Sequence, residues 1–199
     1  MFSCRLVTKL DPGFMLLPGA IIGESAFDGV HKGMQILRAK SDDAGALTEI
    51  ALTAKRHWGY PERWIESWRD AFTIDSQFIV SHETYAAVVE GRLVGFYALG
   101  RKESRLHLQH MWVLPMAMGR GVGRSLFHHA LERAQALRFR EFEIESDPNA
   151  EGFYQRMGAR GVGTSIHELE QGRRELPVLI YEFDHALRLQ NRKPNSYQV

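Results

Sequence analysis

One stretch of the chain decides the fold: residues 106–124, which read LHLQHMWVLPMAMGRGVGR. It begins as an apolar run with aromatic residues, which indicates a strand, and Pro115 ends that run. Glycines follow at positions 119, 121 and 123, and from Val122 apolar residues recur every three or four positions as far as Leu137. The stretch therefore predicts a strand, a glycine-rich turn and the start of a long helix.

A strand, a glycine-rich turn and a helix N-terminus together form an anion site. Glycines let the backbone approach a ligand closely, and the first N–H groups of a helix have no partner inside it. The helix dipole favours negative charge at that end, and Arg120 and Arg124 add full positive charges beside it. The simplest ligand implied is a phosphate or a pyrophosphate.

Two common phosphate-binding motifs fit this loop poorly. A Walker A loop requires GxxxxGK[ST], and no Lys-Ser or Lys-Thr pair follows these glycines at the right offset. The dinucleotide fingerprint GxGxxG has Arg124 where its third glycine should stand, although Glu141 or Glu143 lies at about the right distance for its acidic residue. The loop also leaves no room for the second half of a doubly wound sheet.

Two segments carry a resemblance to a known family. Residues 113–127, VLPMAMGRGVGRSLF, resemble the acyl-CoA pyrophosphate loop [QR]-x-x-G-x-[GA] of the GNAT superfamily of N-acetyltransferases. Gly121 and Gly123 match its small positions, and Met118 stands where the family has Gln or Arg. Residues 147–159, DPNAEGFYQRMGA, resemble the family's N-x(3)-F-Y-x(3)-G junction, one helix and one strand later. The resemblance covers residues 34–183.

The resemblance implies an α/β (α+β) fold with a mixed, mostly antiparallel sheet flanked by helices and splayed between the fourth and fifth strands. It also implies that the glycine-rich loop holds the pyrophosphate, while backbone groups of the preceding strand pair with the pantetheine arm. The expected CoA contacts are Met111, Val113, Met118, Gly119, Arg120, Gly121, Val122, Gly123, Arg124 and Asn149.

The same resemblance names candidate catalytic residues. Tyr154 occupies the position where family members often donate a proton to the departing CoA thiolate. A strand alternates its side chains, which predicts one shared face for Arg105, His107, Gln109, Met111 and Val113. His107 and Gln109 stand where the family often has a glutamate base. An imidazole accepts a proton near neutral pH, whereas Gln109 orients a water.

The other histidine of the central strand, His110, is expected on the opposite face as a buried residue. His107 and His110 then do not form a metal pair, and no cluster of cysteines or carboxylates completes a metal site. The expected cofactor is therefore acetyl-CoA as co-substrate, without a metal.

The activity implied is transfer of the acetyl group of acetyl-CoA to a primary amine of a small molecule by direct attack. A protein N-terminus is an alternative acceptor. A non-catalytic acyl-CoA-binding or sensor module is the other alternative, because Met118 and the absent glutamate depart from the family pattern. Trp58 and Tyr60 are candidate acceptor contacts, since the connection between the first two helices overhangs the acceptor site in GNAT folds. A homodimer is the expected assembly if the chain associates.

Hydrophobic spacing and turn residues predict the remaining elements. Predicted helices cover residues 46–54 and 62–72, the stretch from 122 to 138, and a short helix that Asp147-Pro148 caps and Gly158 ends. Predicted strands cover 35–39, 84–90, 92–99, 106–114, 141–146, 160–168 and 176–183, with a polar turn at 171–174 and a short extended piece at 78–80.

Composition sets the remaining limits. The chain has 199 residues, 44% of them hydrophobic and 25% charged, with a net charge of +1, which is typical of one globular domain without a basic surface for nucleic acid. Cys4 is the only cysteine in the sequence, which predicts that the protein works in the reducing cytoplasm. No apolar run is long enough to span a membrane, so no membrane partner is expected. Residues 1–33 are interpreted as an N-terminal extension, 34–185 as a GNAT-like domain and 186–199 as a polar tail.

Overall fold

A computed structural model of the protein describes residues 33–102, 104–169 and 172–183. The predicted N-terminal extension, apart from Gly33, and the predicted C-terminal tail lie outside the described residues. The strands are β1 (Met34–Arg38), β2 (Glu83–Val89), β3 (Arg92–Lys102), β4 (Arg105–Val113), β5 (Glu141–Glu145), β6 (Arg160–Leu169) and β7 (Gly172–Glu182). The helices are α1 (Ala44–His57), α2 (Glu62–Ser67), α3 (Arg69–Phe72), α4 (Ser76–Ser81), α5 (Val122–Ala136) and α6 (Glu151–Arg156).

The strands form one seven-stranded sheet in the order β1-β2-β3-β4-β5-β7-β6. Every neighbouring pair is antiparallel except β4 and β5, which are parallel and connected through α5. The β4–β5 pairing covers only Leu106–Leu108 against Phe142–Ile144, although β4 continues to Val113. The sheet therefore opens between its fourth and fifth strands, and the predicted fold class is confirmed.

Each face of the sheet carries its own hydrophobic core. Helices α5 and α6 cover one face, where Leu126 is buried and Phe127 packs on Phe142. Helices α1 to α4 cover the other face, where Leu47 and Ile65 are completely buried. Helix α1 forms because its apolar residues recur at helical spacing, and each buried Leu or Ile side chain stabilises the fold by about 1.5–3 kcal/mol. In the described part of the chain, no helix is both long and apolar enough to span a membrane.

A β-bulge in β4 changes which side chains share a face. Leu108 lies opposite Leu99 and His110 lies opposite Ala98, so that Gln109 is an extra residue between them. Beyond the bulge, the alternation continues in the opposite phase. Met111 and Val113 consequently pack against the α5-side core, as Leu106 and Leu108 do. The prediction of one shared face for positions 105 to 113 is therefore wrong.

The bulge also affects the two histidines of β4. His110 packs against Phe78 and Phe96 on the α1 side of the sheet, where it is half-buried rather than fully buried. His107 lies beside Glu143, which alternates with Phe142 and Ile144 of the α5-side core and so faces the α1 side of the sheet. His107 and His110 therefore lie on the same face. The expected placement on opposite faces is wrong, because the alternation assumed an unbroken strand.

Three local predictions also differ from the structure. The predicted extended piece at 78–80 belongs to α4, which the Asp75 carboxylate caps by accepting the Phe78 N–H at 2.6 Å. The predicted helix over 62–72 is divided at Trp68 into α2 and α3. The predicted polar turn at 171–174 is wrong as well, because β7 already begins at Gly172 and so includes Arg174. This last difference places an arginine beside the candidate site.

Candidate functional site

A cavity of about 730 Å³ opens where β4 and β5 separate. Its walls come from β4, from the loop before α5, from the end of β5 and from α6, while Ala54 and Trp58 close it from the end of α1. The parallel pair of strands diverges because β5 ends at Glu145, whereas β4 continues. The edge of β4 from Gln109 to Val113 is then open to the cavity on the β5 side.

The glycine-rich loop forms one end of this cavity. Gly119 has a φ of 71° and Gly121 a φ of 84°, in the left-handed region that glycine adopts most easily. Helix α5 begins at Val122, and its first hydrogen bond runs from the Ser125 N–H to the Gly121 carbonyl. The N–H groups of residues 122–124 therefore have no partner within the helix and can hold an anion.

Most of the predicted CoA contacts line the cavity. These are Met111, Val113, Met118, Gly119, Gly121, Gly123, Arg124 and Asn149. Arg120 is exposed on the loop and does not line it. Val122 is buried in the core beneath the loop, so its side chain does not line the cavity either. The structure thus brings together eight of the ten predicted contacts along one opening.

Tyr154 lines the same cavity from α6 and is only 6% exposed. Its ring packs against Phe127 and Phe153, with ring centroids 5.8 and 5.2 Å away. Burial raises the pKa of the Tyr154 hydroxyl well above its usual range, and the negative charge of Asp147 adds to this effect. The hydroxyl therefore stays protonated at neutral pH and is able to donate its proton.

The two candidate bases lie in different places. Gln109 lines the cavity from the bulge of β4, and its amide occupies the space that a side chain at Gly100 would need. His107 lies in the paired part of β4 and does not line the cavity; its Nδ1 is 3.4 Å from Glu143 Oε1. Burial lowers the pKa of His107, and the Glu143 charge opposes that effect. The structure therefore does not bring His107 to Tyr154.

Sequence reasoning missed two carboxylates that line the cavity, Glu145 and Asp147. Glu145 is the last residue of β5, and its Oε1 lies 3.0 Å from Nε2 of His167 on β6. The alternation of Glu141, Glu143 and Glu145 with apolar residues was the available signal, because it puts an acidic edge beside the opening.

Asp147 is the centre of a buried polar cluster. Lys55, which is 1% exposed, donates a hydrogen bond to its carboxylate. The Tyr60 hydroxyl donates to the same carboxylate at 3.1 Å, and Arg174 Nη2 lies 3.4 Å from it. Asp147 was expected to cap the short helix; instead α6 begins at Glu151, and the Asp147 carboxylate connects α1, the α1–α2 connection and β7.

The charges in this cluster influence one another. Burial lowers the pKa of Lys55 to about 8, although its contact with Asp147 opposes the shift. Burial alone would raise the pKa of Asp147, but the hydrogen bond and charge of Lys55, together with hydrogen bonds from Asn149, outweigh burial and lower that pKa. The available signal for Lys55 was its position four residues after Ala51, on the apolar stripe of α1.

The two predicted acceptor contacts face different cavities. Trp58 lines the large cavity, whereas Tyr60 lines a second cavity of about 240 Å³. The walls of the second cavity include Trp64, Trp68 and Arg174. Within the described ranges, no group of three or more His, Cys, Asp or Glu side chains could hold a metal ion.

Comparison with known proteins identifies the family. The model of the acetyltransferase (GNAT) domain matches residues 62–168, which is more than half of the chain. The chain therefore belongs to the GNAT acetyltransferases and is an acyltransferase, as its resemblance predicted. It is similar to the peptidyl-lysine N-acetyltransferase YiaC of Escherichia coli K12, with 27% identity over 124 residues, 62% of this chain and 81% of that protein.

Solved structures share the fold at lower identity. A GCN5-related N-acetyltransferase from Rhodopseudomonas palustris superposes with a TM-score of 0.66 and 19% identity, over 77% of this chain and 98% of the other. The PaiA N-acetyltransferase of Thermoplasma acidophilum, solved in complex with coenzyme A, has a TM-score of 0.62 and 17% identity, over 76% of this chain and all of the other. These likenesses confirm the GNAT fold.

Proposed function

We propose that this protein transfers the acetyl group of acetyl-CoA to a primary amine by direct attack. The observation that carries the proposal is the opening between β4 and β5, which joins the glycine-rich start of α5 to the buried Tyr154 in one cavity. The complex of PaiA with coenzyme A supports the choice of cofactor. The N–H groups of the loop and the Arg124 guanidinium hold the pyrophosphate, and the open edge of β4 and Asn149 hold the pantetheine arm.

The reaction forms a bond between the amine nitrogen and the thioester carbonyl carbon and breaks the carbon–sulfur bond. Tyr154 donates its hydroxyl proton to the departing thiolate, which leaves as the CoA thiol. Positioning of the two reactants contributes about 7–11 kcal/mol, and one acid or base about 10²–10⁴-fold. Most of the rate therefore comes from how the cavity holds acetyl-CoA and amine together.

The amine must also lose a proton. Glu145 is the better-placed acceptor, because its carboxylate lines the cavity and pairs with a histidine, whereas that of Asp147 is held by Lys55. Gln109 orients a water between the amine and Glu145. His107 lies outside the cavity, which leaves it no direct contact with the amine.

The proposed acceptor is a small-molecule amine that enters beside Trp58. A second candidate is a peptidyl lysine, because the similar YiaC protein is named for that acceptor. A cytoplasmic location, a homodimer and a protein N-terminus as acceptor stay predictions.

Calorimetric titration with acetyl-CoA tests the proposal. The full chain should bind, and Gly121→Glu should lose binding, because it adds a negative charge where the pyrophosphate lies. Gly91→Glu is the matched control, since Gly91 has a similar φ of 75° in the β2–β3 turn outside the cavity. No binding by the full chain would overturn the proposal. Binding without thiol release for any small-molecule or peptide amine would instead favour the sensor module.

A further inference from the structure

The second cavity, of about 240 Å³, adjoins the large one at a dipeptide. Asp147 lines the large cavity, and Pro148, the next residue, lines the small one. The other walls of the small cavity are three aromatic side chains and the first residues of β7. Nothing in the proposed transfer of the acetyl group uses this space.

The charges around the small cavity do not balance. Lys55 and Arg174 share the single carboxylate of Asp147, while Arg173 and Glu175 pair with each other at 2.8 Å. Among the charged residues that line the small cavity, counted with Asp147 and Lys55, this leaves an excess of one positive charge. An anionic group in the cavity would offset the excess, and a neutral or cationic group would not.

Arg174 is already held in one orientation. Its guanidinium lies 4.4 Å from the ring centroid of Trp68 and contacts Asp147 through Nη2 at 3.4 Å, while its side chain remains 21% exposed. A guanidinium has five N–H donors in a planar fork that matches a carboxylate. Since the fork is oriented before any ligand arrives, less conformational entropy is lost when a carboxylate binds.

We propose that the small cavity is a subsite for a carboxylate of the acceptor, so that the acceptor is a primary amine that also carries a carboxylate. This inference rests on the proposed acetyl transfer. The amine lies in the large cavity near Glu145, the carboxylate binds Arg174, and the carbon chain between them passes Asp147-Pro148 against Tyr60 and Trp68. The aromatic walls suit the methylene groups of such a chain.

Matched pairs of amines test the subsite. Each pair consists of an amino acid and the amine that has a methyl group in place of its carboxylate: glycine with ethylamine, γ-aminobutyrate with butylamine, and ε-aminocaproate with hexylamine. We expect at least one amino acid to exceed its partner in kcat/KM by about 10-fold to 100-fold, the range for a hydrogen-bonded charge pair. The chain length of the amino acid with the highest kcat/KM then indicates the distance between the amine position and the carboxylate position.

Arg174→Gln distinguishes recognition from a structural role. If Arg174 binds the carboxylate of the acceptor, KM in this variant should rise about 10-fold or more for the amino acid. For the matched amine without a carboxylate, KM should stay within about twofold. A purely structural Arg174 would weaken both acceptors alike. Arg174→Lys keeps the positive charge beside Asp147 and should restore part of the preference. Arg160→Gln removes an exposed arginine that pairs with Glu182 outside both cavities, and serves as the charge control.

A binding measurement separates failure of this subsite from failure of the transferase. Trp64 and Trp68 line the small cavity, so tryptophan fluorescence should change on titration with ε-aminocaproate, and not with hexylamine. The change should disappear in Arg174→Gln. Equal responses, or equal kcat/KM values within every pair, would overturn the subsite. Absence of CoA binding would overturn the transferase, while the fluorescence result would still decide the subsite.

Discussion

The two sides of the cavity are built in different ways. The proposed CoA side consists mostly of main-chain groups from one continuous stretch, in which a short loop connects β4 to Gly121 and the first turn of α5. The proposed acceptor side consists of side chains distant in sequence, in which Lys55 and Arg174 meet around the carboxylate of Asp147. A site made of backbone depends on local conformation, whereas a site made of buried charges depends on the whole fold. The two sides should therefore respond differently to substitution.

The largest expected effect is on the acceptor side. Asp147→Asn leaves the ammonium of Lys55 buried without a carboxylate, and loss of one partner of a buried pair costs about 3–5 kcal/mol. Chemical denaturation should show this decrease in the free energy of unfolding, and the double variant with Lys55→Met should recover part of it. Glu62→Gln, which breaks the exposed pair with Arg56, is the control. A decrease no larger than in this control would contradict a stabilising role for the cluster.

Tyr154→Phe should have the next largest effect. Without its hydroxyl, the thiolate leaves unprotonated, and kcat should fall by about 10²-fold or more, the usual contribution of a general acid. Affinity for acetyl-CoA should stay the same, because the ring still packs on Phe127. Tyr181→Phe, which alters another tyrosine of the same core, is the control. Unchanged kcat would remove Tyr154 from the mechanism.

On the CoA side, a single methyl group should be enough to weaken binding. Gly121→Ala forces a residue with a Cβ into a φ of 84°, which costs about 1–2 kcal/mol, and the loop relaxes away from its binding conformation. Gly91→Ala imposes the same strain in the β2–β3 turn. Both variants should lose similar stability in thermal unfolding, but only Gly121→Ala should lose acetyl-CoA affinity in calorimetry. Equal acetyl-CoA affinities of the two variants would argue against a role for the loop backbone.

The last expected effect is a pH dependence of the acceptor side. The pKa of Lys55 is about 8 in the folded chain and 10.5 for an ordinary lysine, so between these values the unfolded chain binds more protons. The cost of burying the Lys55 charge is therefore present below pH 8 and decreases as the pH rises toward 10.5. The stability of the protein relative to Lys55→Met should rise across this window in denaturation experiments. A flat difference would show that Lys55 titrates normally.

Local patterns in the sequence predicted most elements of the fold. The helical spacing of α1 and α5, the Glu90-Gly91 turn and the glycines before α5 are short-range features, and each appears where it was expected. The apolar residues 78–80 were assigned wrongly, because a run of three fits a strand and a helix equally well. In the structure, the Asp75 cap and packing against the sheet select the helix.

The candidate site was predicted only in part, for three physical reasons. The bulge at Gln109 reverses the alternation of β4, and no residue type within the strand marks a bulge. Glu145 and Asp147 could be assigned to the site only once the point at which β5 separates from β4 was known. Lys55 and Arg174 gained their roles only through burial beside Asp147, which depends on how α1 and β7 pack.

The sequence by itself determined the family, the order of most elements and the position of the glycine-rich loop, because turn chemistry and hydrophobic spacing act over a few residues. Only the tertiary structure showed the shape of the cavity, the position of His107 outside it and the partners of Asp147. These depend on strand register and on the burial of charges, and both are set by contacts between residues far apart in the chain.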